Sequence, residues 1–260
     1  MRAAQPDLVS RLATLVSRER RTRFAGGALS QFWAFLTPLS WIAFVVIIFR
    51  ILNRSPAIYV PPEIFVATGV LPYIVFRQTI ASISRTPAAH RYMKYISGIK
   101  DADLITATAL TELVNALVIA TVLFVAISIA FFVPVPNNPA GVLIALTVGW
   151  FLATGIGRFI AVVGMLSDSF ARSVPILLRP VFWLSGIFYT ATELPGAAQE
   201  LLWFSPTLHV TELLRESYFI GYTSPISTML YPVLFGATFF LISYPIEWHI
   251  IRNRLSKERL

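Results

Sequence analysis

Six stretches of this chain are long and apolar enough to cross a lipid bilayer: residues 32–52, 64–83, 104–132, 142–166, 174–189 and 230–251. A spanning helix needs about 20 mostly apolar residues, because the hydrocarbon core is about 30 Å thick and offers the backbone no water. The fifth stretch is the shortest, and its helix is expected to run on past Tyr189. With 56% hydrophobic and only 13% charged residues in 260, one integral all-α domain, residues 1–260, accounts for the chain, with no sizeable soluble domain beside it. The first apolar run follows some thirty polar or mixed residues and lacks a small-residue cleavage pattern, so it reads as a retained span. There is no cysteine, which excludes disulfides and thiolate chemistry.

Lysine and arginine placement sets the expected orientation, since cationic loops near span ends resist translocation. Arg2, Arg11, Arg18, Arg20, Arg21 and Arg23 precede the first span. Arg85, Arg91, Lys94 and Lys100 lie between the second and third, Arg172 just before the fifth and Arg179 in its first turns, and Arg252, Arg254, Lys257 and Arg259 after the sixth. These regions belong in the cytoplasm, with both termini. The other side receives Arg50, Arg54 and Arg215, and Glu63, Glu193, Glu200, Glu212 and Glu216 gather there. The net charge of +8 is therefore mostly topology and gives no reason to invoke nucleic acid.

Three segments outside the spans carry pattern. Within residues 1–30, Leu8, Leu12, Leu15 and Val16 recur at helical spacing with Arg11, Ser17 and Arg18 on other faces; this reads as an amphipathic interfacial helix or as a plain positive-inside anchor. The charged loop 84–103, with Tyr92 and Tyr95, is the natural docking element for a cytoplasmic partner, or simply a basic loop. Residues 190–228 are too polar for a span and too apolar for an ordinary loop. Two short helices re-entering from the outer side are expected there, the second starting at a Ser205 cap before Pro206. On that helix His209, Glu212 and Glu216 share a face, and Arg215 is spaced to pair with Glu212.

Arg77, Glu112, Arg158 and Glu247 fall within or near span edges, where a charge usually needs a partner helix or a wet cavity. Arg77 and Arg158 are candidates for a cavity lining, Glu112 is placed to neutralise either, and Glu247, close enough to the tail to snorkel, is expected to be structural. Gly149, Ala153, Gly157 and Ala161 make a stripe of small residues suited to close helix packing. Pro38, Pro72 and Pro180 permit kinks. Aromatic residues crowd the span ends, among them Trp33, Trp41, Tyr73, Phe76, Phe182 and Trp183; they serve as an interfacial belt or as a lining on which a sugar polymer slides. No metal site is expected, since His209, Glu212 and Glu216 lack further ligands nearby. No HExxH, GxSxG or GxxxxGK[ST] motif occurs, so work against a gradient requires a nucleotide-hydrolysing partner.

The runs LVSRERRTRF (15–24), SQFWAFLTP (30–38), GVLPYIVF (69–76), VPILLRPVFWLSGIFY (174–189) and SPTLHVTELLRESYFIGY (205–222) together resemble the permease subunit of type-2 ABC exporters for cell-surface polysaccharides, capsular polysaccharide permeases above all. That resemblance implies a homodimeric channel in a bacterial inner membrane, driven by two copies of an ATPase that binds ATP and Mg; this chain itself would hold no cofactor and be no enzyme. It implies that Arg18, Arg21 and Arg23 meet a lipid-linked acidic polysaccharide and that Trp33, Tyr73 and Phe76, with Arg77 and Arg158, line the path. It further implies that Arg91, Tyr92, Lys94, Tyr95, Lys100 and Asp101 couple to the ATPase, and that His209, Glu212 and Arg215 set the outer exit. A periplasmic co-polymerase or adaptor and an outer-membrane channel are the further partners implied. O-antigen or teichoic-acid export by the same architecture is the neighbouring expectation. A secondary transporter calls for inverted repeats, which are not detected, and an intramembrane enzyme for clustered catalytic groups.

Overall fold

The computed structural model describes residues 8–23, 28–90 and 99–257. Among them every regular element is helical: α1 (Leu8–Arg23), α2 (Ala28–Ile51), α3 (Pro62–Ala89), α4 (Asp101–Phe131), α5 (Pro139–Gly164), α6 (Asp168–Leu177), α7 (Arg179–Leu184), α8 (Gly196–Leu202), α9 (Pro206–Tyr218) and α10 (Leu230–Lys257), with a 3-10 turn at Ala191–Glu193. Local chemistry sets the starts. Pro62, Pro139 and Pro206 occupy first turns, where the missing N–H costs nothing. Asn138 accepts from the Gly141 N–H at 3.0 Å to open α5, and the Asp103 carboxylate accepts from the Lys100 N–H at 3.2 Å to open α4.

Five helices are long and apolar enough to cross a membrane: α2, α3, α4, α5 and α10. The expected fifth stretch, 174–189, is not one such helix. Its apolar helical part is Ser173–Leu184, about 18 Å long at 1.5 Å per residue. Two prolines account for this. Pro175 lies inside α6, and Pro180 removes a donor and crowds the carbonyl four residues back, so the chain passes from α6 to α7 through Leu178. Gly186, at φ +74°, then turns the chain out of helix altogether.

α3 is the mast of the bundle. It packs against α2, α4, α5 and α9, while α5 packs on its far side against α10 and α9. At one end the buried core joins Phe49, Phe65, Leu71, Phe124, Leu146 and Leu214. Arg50 and Glu63 form an ion pair there, and Arg54 reaches Glu193 at 3.6 Å. We call this the outer end, following the arginine distribution, and the end holding α1 the inner end. At the inner end Leu15 of α1 is buried against Leu104 and Ala107 of α4, Arg11 lies 3.9 Å from Asp103, and His90 lies 3.3 Å from Glu19. Leu15 and Val16 of the apolar face of α1 thus pack onto α4.

The small residues of α5 serve three neighbours, two of them through the stripe. Gly149 faces Val210 of α9, Gly157 faces Ile80 and Ile83 of α3, and the closest approach falls off the stripe, where a Cβ on Gly155 would stand 2.0 Å from the Gly236 carbonyl of α10. Backbones that close leave room for glycine alone.

Candidate translocation site

An aromatic wall forms where α2, α3 and α7 converge. The Phe182 ring lies 5.1 Å from Trp41, 5.1 Å from Tyr73 and 5.4 Å from Phe188, in tilted or edge contacts. Trp183 stacks on Phe188 at 5.1 Å with 19° between the planes, and its outer face is exposed. Edge-to-face contacts hold such rings rigid. A rigid apolar face with few directional partners suits a ligand that must pass along it. The turn at Gly186 completes the wall by bringing Phe188 back over Phe182 and Trp183.

A buried polar cluster lies beside it on α9. Arg215 donates to Glu212 at 3.1 Å and to the Tyr189 carbonyl at 2.7 Å, and its guanidinium sits 4.3 Å above the Phe65 ring. The Tyr222 hydroxyl donates to the second Glu212 oxygen. Burial and the neighbouring Glu212 carboxylate push the Tyr222 phenol well above its ordinary value, so it stays a donor. His209 faces the Trp203 carbonyl at 2.8 Å, and burial lowers its pKa from 6.5. Glu216 accepts from the Ser224 N–H at 2.6 Å. The cluster ties α9 to α3, to the segment after α7 and to the loop before α10. Ser205 does precede α9, but its hydroxyl donates to the Leu184 carbonyl at 3.1 Å and leaves the helix uncapped.

The remaining site residues are dispersed. Of the expected aromatic lining only Tyr73 joins the wall: Phe76 is buried with Val148, Leu152 and Val174, and Trp33 is exposed on α2. Arg158 is no free lining residue. It is 2% exposed, donates to Glu247 at 2.5 Å and to Ser243 at 2.8 Å, and lies 4.3 Å over Tyr244. Glu247, not Glu112, is therefore its counter-ion, and the structural role expected of Glu247 is this pairing inside the bundle rather than snorkelling. Arg77 is exposed on α3, and Arg18 and Arg21 sit at the inner end on α1. Lys100 and Asp101 begin α4 and α3 runs on to Ala89, which shortens the expected loop 84–103. Arg91, Tyr92, Lys94, Tyr95 and the Arg23 side chain lie outside the described residues. Among the described residues no group of three or more His, Asp or Glu is placed to hold a metal.

Residues 10–219 match the family model for ABC-2 type transporters. The chain belongs to the ABC-2 type transporter family. Three relatives show how far this ABC-2 transporter resembles named members. It is 28% identical over 227 residues to the polysialic acid transport protein KpsM of Escherichia coli, covering 85% of this chain and 86% of the relative. It is 29% identical over 211 residues to the capsule polysaccharide export inner-membrane protein BexB of Haemophilus influenzae, with 79% and 77% covered. It is 24% identical over 208 residues to the inner-membrane protein CtrC of Neisseria meningitidis serogroup A, also named for capsule polysaccharide export, with 80% and 78% covered. The family and the five spanning helices make the chain a membrane subunit of a transporter.

Several residues of this ABC-2 transporter's candidate site are not distinguished by the sequence. Trp41, Phe182 and Trp183 fit a belt or a lining equally well in the sequence, and nothing there singles out Phe188 or Tyr222. A signal for Glu247 was present: Phe240, Ser243, Tyr244 and Glu247 share one face of α10, a polar notch in an apolar helix that implies a buried partner.

Proposed function

We infer that this chain is the membrane subunit of an ATP-driven exporter moving lipid-linked capsular polysaccharide across a bacterial inner membrane. The observation that carries the reading is similarity over most of the chain to three proteins named for polysialic acid transport or capsule polysaccharide export. In this reading two copies assemble around the path and two ATPase subunits bind below them, holding the ATP and Mg. The bent α6–α7 pair makes the sixth crossing, with both termini cytoplasmic. Residues 190–228 re-enter from the outer side, and His209, Glu212 and Arg215 brace α9 there against the exit. The wall of Trp41, Tyr73, Phe182, Trp183 and Phe188 gives sugar rings a surface to slide on. Arg18, Arg21 and Arg23 on α1 attract the acidic polymer at the entrance. A periplasmic adaptor and an outer-membrane channel receive it.

The test has two arms. The chain is expressed in a capsule-forming strain deleted for its own permease, and surface polymer is stained; restored capsule is expected, and none would overturn the reading. The purified chain is expected to bring down an ATPase whose hydrolysis depends on it, whereas polymer movement by the chain alone on an ion gradient would make it a different kind of transporter. Phe182→Ala is expected to abolish surface polymer while ATPase association persists.

A further inference from the structure

We propose that the groove between α3 and α4 holds an anionic phospholipid of the inner leaflet, with its phosphate on Arg85 and Arg77. At about 100° per residue, Leu71, Ile74, Gln78 and Arg85 fall within about 60° of one face of α3. The upper three line a cavity of about 20 Å³ shared with Asn115 and Ile119 of α4, enough for about one water. Beside and below the cavity the face turns basic. Arg77 flanks it and Arg85 continues it about 12 Å nearer the inner end.

Depth makes this arrangement informative. Counted from Ile64, Arg77 lies about 20 Å along the helix and so stops about 10 Å short of the far side of a 30 Å core, while Arg85 reaches the interface. Both are exposed, and neither forms a hydrogen bond or ion pair with another described residue. A guanidinium left bare at that depth is costly. Gln78 is exposed and Asn115 half-buried, and their amides also find no partner among the described residues, although Glu112 beside them is buried and engaged by the protein. Apolar walls above, unpartnered amides with Arg77 at their level, and Arg85 at the interface match the shape of one lipid: acyl chain upward, glycerol esters at the amides, phosphate on Arg85 with the long Arg77 side chain reaching down to it. Glu112 at the level of the esters, deeper than the phosphate, disfavours an anion any further in.

The experiment uses the full chain in nanodiscs of phosphatidylcholine titrated with phosphatidylglycerol, with bound lipid read by native mass spectrometry. One phosphatidylglycerol retained per chain is expected. The double variant Arg77→Gln, Arg85→Gln is expected to retain it roughly thirty-fold more weakly, with Arg179→Gln unchanged and Arg77→Lys, Arg85→Lys largely restored. Undiminished retention in the double glutamine variant would overturn the proposal, as would equal retention of phosphatidylcholine. Because the chain has no cysteine, Ile119→Cys gives a clean reporter. A disulfide between two copies would show that a second chain covers the groove and would also overturn it. The readout is lipid, not export, so it stands or falls apart from the polysaccharide reading.

Discussion

The seam between α5 and α10 and the groove between α3 and α4 both put polar side chains at hydrocarbon depth, and they settle them in opposite ways. At the first, Gly155 and Gly236 bring two backbones into contact, and Arg158 is enclosed by Glu247, Ser243 and Tyr244. At the second, Gln78 and Arg77 remain open. A charge sealed by its counter-ion holds helices together, whereas one left unsealed is available to something outside the chain. Enclosure, and not depth or residue type, is what distinguishes the two regions.

The largest expected effect lies at the sealed seam. Arg158→Ala strands the Glu247 carboxylate and should cost about 3–5 kcal/mol of stability, read as a lowered unfolding temperature in detergent. Adding Glu247→Leu should recover most of it, and a double variant as unstable as the single would deny that pairing is what matters. Next comes Gly155→Ala. Its Cβ would stand 2.0 Å from a carbonyl oxygen, so α10 must shift at a cost of about 1–3 kcal/mol; an unchanged melting temperature would argue against the close crossing.

A smaller change is expected from pH. His209 is held neutral by burial, its pKa lowered from 6.5. The unfolded chain therefore takes up the proton first as pH falls, and the stability present above about 6.5 should decline below it. His209→Phe should flatten that decline, and an equally steep profile in the variant would place the titrating group elsewhere. The smallest effect belongs to the open groove: Gln78→Leu should lie within about 0.5 kcal/mol of the parent. A loss as large as that of Arg158→Ala would erase the contrast between the two regions.

Much of this was legible in the sequence wherever the signal was local. The spans at α2, α3, α4, α5 and α10 follow from run length, and the Glu212–Arg215 pair follows from a spacing of three on one helix. What escaped depends on contacts between distant segments. Arg158 and Glu247 are 89 residues apart, and the sequence offered Glu112 as readily. The break between α6 and α7 was written in Pro175 and Pro180, yet prolines are common in membrane helices and a kink looks the same as a continuous span until its neighbours are known. Phe182 and Trp183 sit where belt aromatics sit; only the turn at Gly186, which folds Phe188 back over them, makes a wall.

The position of α3 also bears on how the chain is made. Its central window is 78% buried by its neighbours, against 22% for α4, and it is less apolar than either α2 or α4. A segment of that kind, carrying Arg77, partitions weakly from the translocon by itself. The ribosome delivers α2 just before it and α4 just after, so membrane insertion should proceed as a three-helix unit, with α3 waiting at the lateral gate until its greasier companions shelter it on both sides.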